Sequence, residues 1–430
     1  MSSETTRREF LKASAVTGGV LAANAVLMNA HAQQNNDVIR VGLVGCGGRG
    51  SGAIEQCLRA DANVRLVAVA DTFRDRADGC LRRLRGNAAV RDKVDVPAER
   101  IHIGLEAYQQ VIAASDLVLL ATPPGFRPTH IRAVIGARKH LFTEKPVAVD
   151  GPGVRAVLAA YEDANRNNLT VVAGTQRRYQ TGYLETMQRI HDGAIGTITS
   201  GRCYWNQGGL WNAARTMGMT DVEWHIRNWL YFTWLSGDHI VEQHVHNLDV
   251  INWAIQAHPT KCVGMGGRQV RTTEPFGHIF DHFAVDYEYP NNVHVLSMCR
   301  QIQGCVGNVS ESVTGTRGNC ETAAGPRLYR ITGERAWTMP RAQDNEPYQA
   351  EHVALFESIR GRRRTRLNDL RAVAESTLTA IMGRMSAYTG REVTWEQALN
   401  SQQSLVPERL TWDMRMPMPA VAVPGVTELT

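Results

Sequence analysis

The sequence predicts an α/β domain first and then an α+β domain with an open, mostly antiparallel β-sheet. Three observations carry this reading. An apolar, β-branched run, Val38-Ile39-Arg40-Val41-Gly42-Leu43-Val44, breaks directly into Gly45-Cys46-Gly47-Gly48-Arg49-Gly50. Strand-like and helix-like segments then alternate to about residue 175. Beyond residue 180 the texture changes to β-rich runs separated by turn residues.

The first run has the form of a Rossmann strand entering a pyrophosphate-binding turn. Gly45 permits the tight turn, and Gly47 lets the backbone approach the phosphates. Gly50 lets the following helix pack closely on the strand, with Gly48 and Arg49 completing the turn. The helix, over about 51–59, points its amide-rich end at the anion. A second strand over 64–70 ends in Asp71, about twenty residues beyond Gly50, where such a turn is followed by an acid. That carboxylate can accept hydrogen bonds from both ribose hydroxyls and repels a 2′-phosphate. NAD(H) is therefore preferred, and the nearby Arg74 leaves NADP(H) open. A buried strand over 116–121 ends at Thr122-Pro123-Pro124, placing Thr122 and Pro123 at the ligand edge of the sheet. A helix over 128–138 and a strand over 140–143 lead to Glu144-Lys145-Pro146. A helix over 153–165 and a strand over 169–174 complete the domain.

After a helix over 184–190, strands are expected at 197–204, 261–270, 282–289 and 293–300. Tyr289-Pro290-Asn291-Asn292 joins the last two as a hairpin. Residues 351–387 return to helical periodicity, and the Pro- and Met-rich tail from about 407 is expected to wrap the surface.

The N-terminal segment stands apart from the fold. Thr6-Arg7-Arg8-Glu9-Phe10-Leu11-Lys12, a mildly apolar stretch over 13–28 and Ala30-His31-Ala32 read as a signal peptide cleaved after Ala32. The stretch is too short and too rich in Gly, Thr and Asn for a membrane span. Its twin arginine resembles a Tat signal, which implies the Tat machinery as partner and a periplasmic or exported protein. Tat carries folded proteins, so a dinucleotide would travel bound. The net charge of +5 is modest, no basic stripe is interleaved with aromatics, and nucleic-acid binding is disfavoured. The cluster Arg360-Gly361-Arg362-Arg363-Arg364 reads as a solvated helix end. Eight cysteines show neither C-x-x-C nor zinc spacing, so no metal is assigned.

Two segments offer chemistry. Lys145 follows the C-terminal edge of the sheet, where open α/β sheets bind ligands, and a lysine there can donate to a substrate hydroxyl. Taken alone, Glu144-Lys145-Pro146 reads as a surface turn. In 238–253, helical spacing places Glu242, His246 and Asp249 on one face at i, i+4 and i+7, with His244 on the opposite side. A carboxylate one turn from an imidazole suits a general base. Two other readings are a polar network at a domain interface and a metal site of His239, Glu242 and His246, the latter without supporting cysteine or HExxH spacing. Between Tyr204 and Trp234, dense aromatics including Trp205, Trp211 and Trp229 alternate with amides and Arg227, a composition suited to covering a pyranose or to building core. Arg178, after a sheet strand, is assigned either to the ligand or to the surface.

The glycine turn, Glu144-Lys145-Pro146 and Glu242-x-x-x-His246-x-x-Asp249, in this order, resemble the Gfo/Idh/MocA family of glucose–fructose oxidoreductase and inositol 2-dehydrogenase over about residues 38–395. The resemblance implies that Lys145 contacts the reacting hydroxyl, His246 is the acid/base and Glu242 holds substrate, with Asp249 in the last motif position. Glu144 and Lys145 also face the cofactor, while Arg178, Trp205, Trp229 and Asp249 are assigned to substrate. Glu242 stands where Asp is usual, and His244 where Gly is usual. The resulting division is a Tat-type signal at 1–32, an NAD(P)-binding Rossmann domain at 38–175, an α+β substrate and oligomerisation domain at 176–395, and a tail at 396–430. The expected activity interconverts a hydroxyl and a ketone on a sugar, cyclitol or glycoside. The family also implies a homo-oligomer, dimer or tetramer. Alternatives are an NAD-dependent glycoside-cleaving enzyme, resembling exported α-N-acetylgalactosaminidases, and a sugar-binding protein with a vestigial cofactor.

Overall fold

The computed structural model describes residues 37–429, so the twin-arginine leader and its cleavage site lie outside the described residues. The first sheet has six parallel strands: β1 (Ile39–Val44), β2 (Val64–Asp71), β3 (Ile101–Ile103), β4 (Leu117–Leu120), β5 (His140–Thr143) and β6 (Val171–Ala173), in the order β3-β2-β1-β4-β5-β6. Its central strands are apolar on both faces, and all four residues of β4 are buried. That is the composition of a parallel sheet covered by helices on both sides. The strand order reverses between β1 and β4, and the crevice at their carboxyl ends is where such sheets bind ligands. The helix after β1 begins at Gly48, earlier than expected, because Gly47 caps it without a side-chain bond.

The second sheet has nine strands: β7 (Ile198–Gln207), β8 (Lys261–Gly267), β9 (His282–Tyr289), β10 (Val293–Gln301), β11 (Asn308–Gly315), β12 (Gly318–Ala323), β13 (Leu328–Gly333), β14 (Trp337–Thr338) and β15 (Val393–Thr394). Their order is β14-β13-β12-β11-β7-β10-β9-β8-β15, antiparallel throughout except for the β7–β10 pair. The expected hairpin joins β9 to β10, and Asn291 and Asn292 take the positive φ it needs (63° and 59°). One face of the sheet packs on the helix Leu370–Thr389, close enough that a Cβ on Gly383 would stand 2.1 Å from the Tyr287 hydroxyl. The other face leaves Val263, Met265, Leu296 and Met298 exposed.

Two expectations are corrected. The helical stretch 351–387 is two helices, Pro347–Ile359 and Leu370–Thr389. The intervening Arg360 is not a solvated helix end. It is buried, and its planar fork meets both oxygens of Asp61 at 2.6 Å, an arrangement that compensates its desolvation. The tail packs Leu405, Val406, Leu410, Met414 and Met416 onto a cluster of Val222, Trp224, Phe232 and Trp234.

Candidate active site

A cavity of about 690 Å³ opens at the carboxyl ends of β1, β2, β4 and β5 and is closed from the far side by the second domain. Its phosphate end is built by the glycines. Gly45 has φ +94°, and a Cβ on Gly50 would lie 1.8 Å from the Gly45 carbonyl oxygen, so the turn and helix fit only without side chains. At Gly47 and Gly48 a Cβ would meet nothing within 4 Å, leaving open space over the helix amides. Asp71 closes this end. Its Oδ2 accepts from the Cys46 amide at 2.7 Å and its Oδ1 from the Phe73 amide at 2.9 Å. Each oxygen keeps a lone pair for a ribose hydroxyl, although burial raises the carboxyl above its ordinary value. Arg74 turns away to Asp78, while Arg76 lines the cavity. Cradle and carboxylate together fit NAD.

Thr122, Pro123, Arg49, Glu144 and Lys145 all line the same cavity. Arg49 is heavily engaged: it pairs with Glu144, meets Glu351 at 3.1 Å and lies 4.8 Å over the Tyr348 ring. Burial opposes the charge on Glu144, but Arg49, Lys145 and Arg127 outweigh it and hold that carboxyl below its ordinary value. The Lys145–Pro146 peptide is cis. Lys145 Nζ donates to the Glu242 carbonyl at 2.8 Å and stands 3.4 Å from Glu242 Oε1. His246, also at the cavity wall, is 5% exposed. Burial, then the positive charges of Lys145, Arg177 and Arg49, push its imidazole well below the usual histidine range. Its surroundings thus favour the neutral imidazole over the imidazolium.

The expected shared face of Glu242, His246 and Asp249 is divided. The helix is interrupted at Gln243 and His244, between His239–Glu242 and Val245–Ile255. Glu242 and His246 line the cavity; Asp249 does not. Asp249 is buried against the turn Gln176–Tyr179 and the helix Leu370–Thr389, taking Arg178 in a fork at 2.9–3.1 Å and the Ser376 hydroxyl at 2.8 Å. Arg178 and Asp249 thus satisfy each other and reach no ligand space. His244 faces the second sheet, 2.7 Å from Ser297 Oγ. His239 pairs with Asp238 at 3.0 Å, so it does not converge with Glu242 and His246. Among the described residues no group of three His, Cys, Asp or Glu is placed to hold a metal.

Of the expected aromatic platforms, Trp229 lines the cavity and is joined there by Trp211; Trp205 does not line it. Sequence reasoning missed Phe73, Arg127, His130 and Tyr348 at the cavity wall. Arg127 and His130 follow Thr122-Pro123-Pro124 at helical spacing, which was the available signal. Arg127 is buried, donates to the Pro146 carbonyl and leaves its Nε without a partner.

Two family profiles match this architecture. One, described as an oxidoreductase family with an NAD-binding Rossmann fold, covers residues 39–174; the other, the GFO/IDH/MocA C-terminal domain, covers residues 183–321. Inositol 2-dehydrogenase of Klebsiella pneumoniae (strain 342) is 30% identical over 222 residues, 50% of this chain and 54% of that protein. Inositol 2-dehydrogenase of Cereibacter sphaeroides is 30% identical over 152 residues, 35% of this chain and 41% of its own length. The chain therefore spans about half, or less, of the length of these relatives. Aldose-aldose oxidoreductase from Caulobacter crescentus superposes with TM-score 0.64 at 17% identity, covering 83% of this chain and 99% of its own. Apo scyllo-inositol dehydrogenase from Lactobacillus casei gives 0.63 at 17%, covering 84% and 99%. These structural likenesses bear on the fold. Profiles, relatives and the NAD-shaped cradle agree that the chain belongs to the Gfo/Idh/MocA family of NAD-binding oxidoreductases.

Proposed function

We propose that the protein interconverts a hydroxyl and a ketone on a sugar, cyclitol or glycoside. The observation that carries this is a buried imidazole and a lysine side chain, His246 and Lys145, on the wall of the cavity that holds the glycine cradle. NAD, when bound, supplies the hydride acceptor or donor. His246 accepts the hydroxyl proton as the carbonyl forms, and Lys145 donates a hydrogen bond to the same oxygen. Glu242, touching Lys145 through both carbonyl and carboxylate, holds that side chain in place. Trp211 and Trp229 offer ring faces for the apolar side of a sugar.

A tightly retained cofactor is part of the reading. The Arg227 guanidinium lies 3.7 Å over the Phe73 ring and reaches Asp75 at 3.3 Å, linking the second domain across the cavity beside Asp71. Trp412 of the tail stands 6.1 Å from Phe73 on the outer side. A dinucleotide whose ribose is held by Asp71 leaves only if these contacts part. Tat export of the loaded protein to the periplasm belongs to the same proposal. So does self-association into a dimer or tetramer, for which the exposed sheet face with Val263, Met265, Leu296 and Met298 is suited.

The test is to purify the protein, desalt it, denature it and identify the released dinucleotide, and then to screen polyols for a change in its redox state. Stoichiometric NAD(H) reduced by a sugar or cyclitol is the expected result. Protein without dinucleotide that binds NAD weakly contradicts retention. Aglycone release with no net change in NADH would instead favour glycoside cleavage.

A further inference from the structure

We propose that Trp205 is a positioning residue for His246: its indole, stacked on the His246 imidazole and within cation–π reach of the Arg177 guanidinium, fixes the plane of that imidazole and limits the access of water to it. The inference rests on the reading of His246 as the base, and it removes Trp205 from the sugar-binding surface.

The rings of Trp205 and His246 are 5.8 Å apart and inclined by 24°, an offset stack. On the same indole the Arg177 guanidinium lies 5.6 Å from the ring centre, within cation–π reach. Each group is anchored. Trp205 sits in β7, paired to Cys299 of β10 and Val309 of β11, and its indole N–H donates to Gln207 Oε1 at 2.6 Å. Arg177 is 2% exposed and pairs with Glu311. Asn247, next to His246, donates to the same Glu311 and, at 3.0 Å, to the carbonyl of Tyr204, next to Trp205. One buried carboxylate therefore ties down the guanidinium and Asn247, and Asn247 in turn holds the backbone beside Trp205.

The surrounding charges make protonation of His246 unfavourable. Arg177 lies against the indole, Lys145 and Arg49 line the cavity, and all three positive charges act on the imidazole. Glu242 is turned to Lys145. Glu311 is saturated by Arg177, Asn247, the Tyr183 hydroxyl at 2.9 Å and the Thr322 hydroxyl at 2.7 Å. No carboxylate opposes these charges at the imidazole, and burial, to which the stacked indole contributes, is the larger cause that favours its neutral form. Smaller side chains at 205 admit water and release the ring.

The experiment follows the His246 imidazole by NMR against pH in the protein as purified, which needs no substrate. Trp205→Leu should raise its titration midpoint by about one unit or more, and Trp205→Phe by less. The acid limb of kcat should move the same way, with KM for the sugar little changed. A midpoint unmoved in both variants, with KM raised, would overturn the proposal and return Trp205 to substrate binding. If Trp205→Leu does not fold, Trp205→Phe decides, since its smaller ring must still give a measurable rise. A shifted midpoint in a protein that oxidises no polyol would leave this inference standing and defeat the functional reading alone.

Discussion

At Lys145 one residue, Glu242, offers the amine both a carbonyl (2.8 Å) and a carboxylate oxygen (3.4 Å) at the cavity wall. Burial and nearby positive charges favour the neutral form of His246 on the same wall, and a donor with an acceptor is what hydroxyl oxidation needs. Replacing His246 by Ala, or Lys145 by Met, should lower kcat roughly 10²–10⁴-fold while NAD binding, measured by fluorescence titration, stays nearly unchanged. Asp71→Ser should weaken NAD and narrow the preference over NADP, since it removes the acceptors at the ribose. Competition binding with both cofactors checks this. At this scale the sequence was most legible where a residue's role follows from backbone position, as at Gly45, Gly50 and Asp71. It was least legible where the role depends on what another domain brings. Arg178 and Asp249 stand 71 residues apart and meet only through the packing of three elements. Nothing in the spacing around Trp205 reveals that a guanidinium lies against it.

Among the elements, the β1–turn–helix unit is the most tightly specified. A methyl at Gly50 would overlap the Gly45 carbonyl, so Gly50→Ala should cost about 1–3 kcal/mol by overpacking and weaken NAD binding strongly. Urea unfolding and a cofactor titration read the two effects separately. The first sheet was legible because its strands are continuous apolar runs punctuated by glycine and proline. The second was legible in part. β7 to β10 carry the expected runs, whereas β11 and β12, rich in Gly, Ser, Thr and Asn, lack a clear apolar alternation, and β13 alternates only over the short run from Tyr329 to Thr332; none of the three was anticipated. Periodicity also ran through two interruptions, at Gln243–His244 and at 360–369, because a period survives a short break in a helix.

For the whole molecule, the cavity exists only where the domains meet. Arg49 links Glu144 of the first domain to Glu351 beyond the second sheet, and the buried Arg384 donates to the carbonyls of Val149 (2.8 Å) and Gly237 (3.1 Å), one from each domain. Buried histidines add a pH dependence. Burial pushes His130 and His244 down to about 3, and His140, His225 and His278 down to about 4. Below about pH 6.5 the unfolded chain takes up protons that the folded protein refuses, so stability falls as pH drops through that window toward 3–4, on the order of 1 kcal/mol or more per histidine. Denaturant midpoints at pH 7.5, 6 and 5 should decline in that order; a flat series would mean these side chains are not dry.

The most direct test of the central claim is NADH absorbance while wild-type protein and the His246→Ala variant are offered inositols, aldoses and their glycosides. The account predicts reduction of NAD by at least one polyol in the wild type, largely lost in the variant although its cofactor remains bound. Equal rates in the two proteins, or no polyol that changes the redox state of bound NAD, would contradict it.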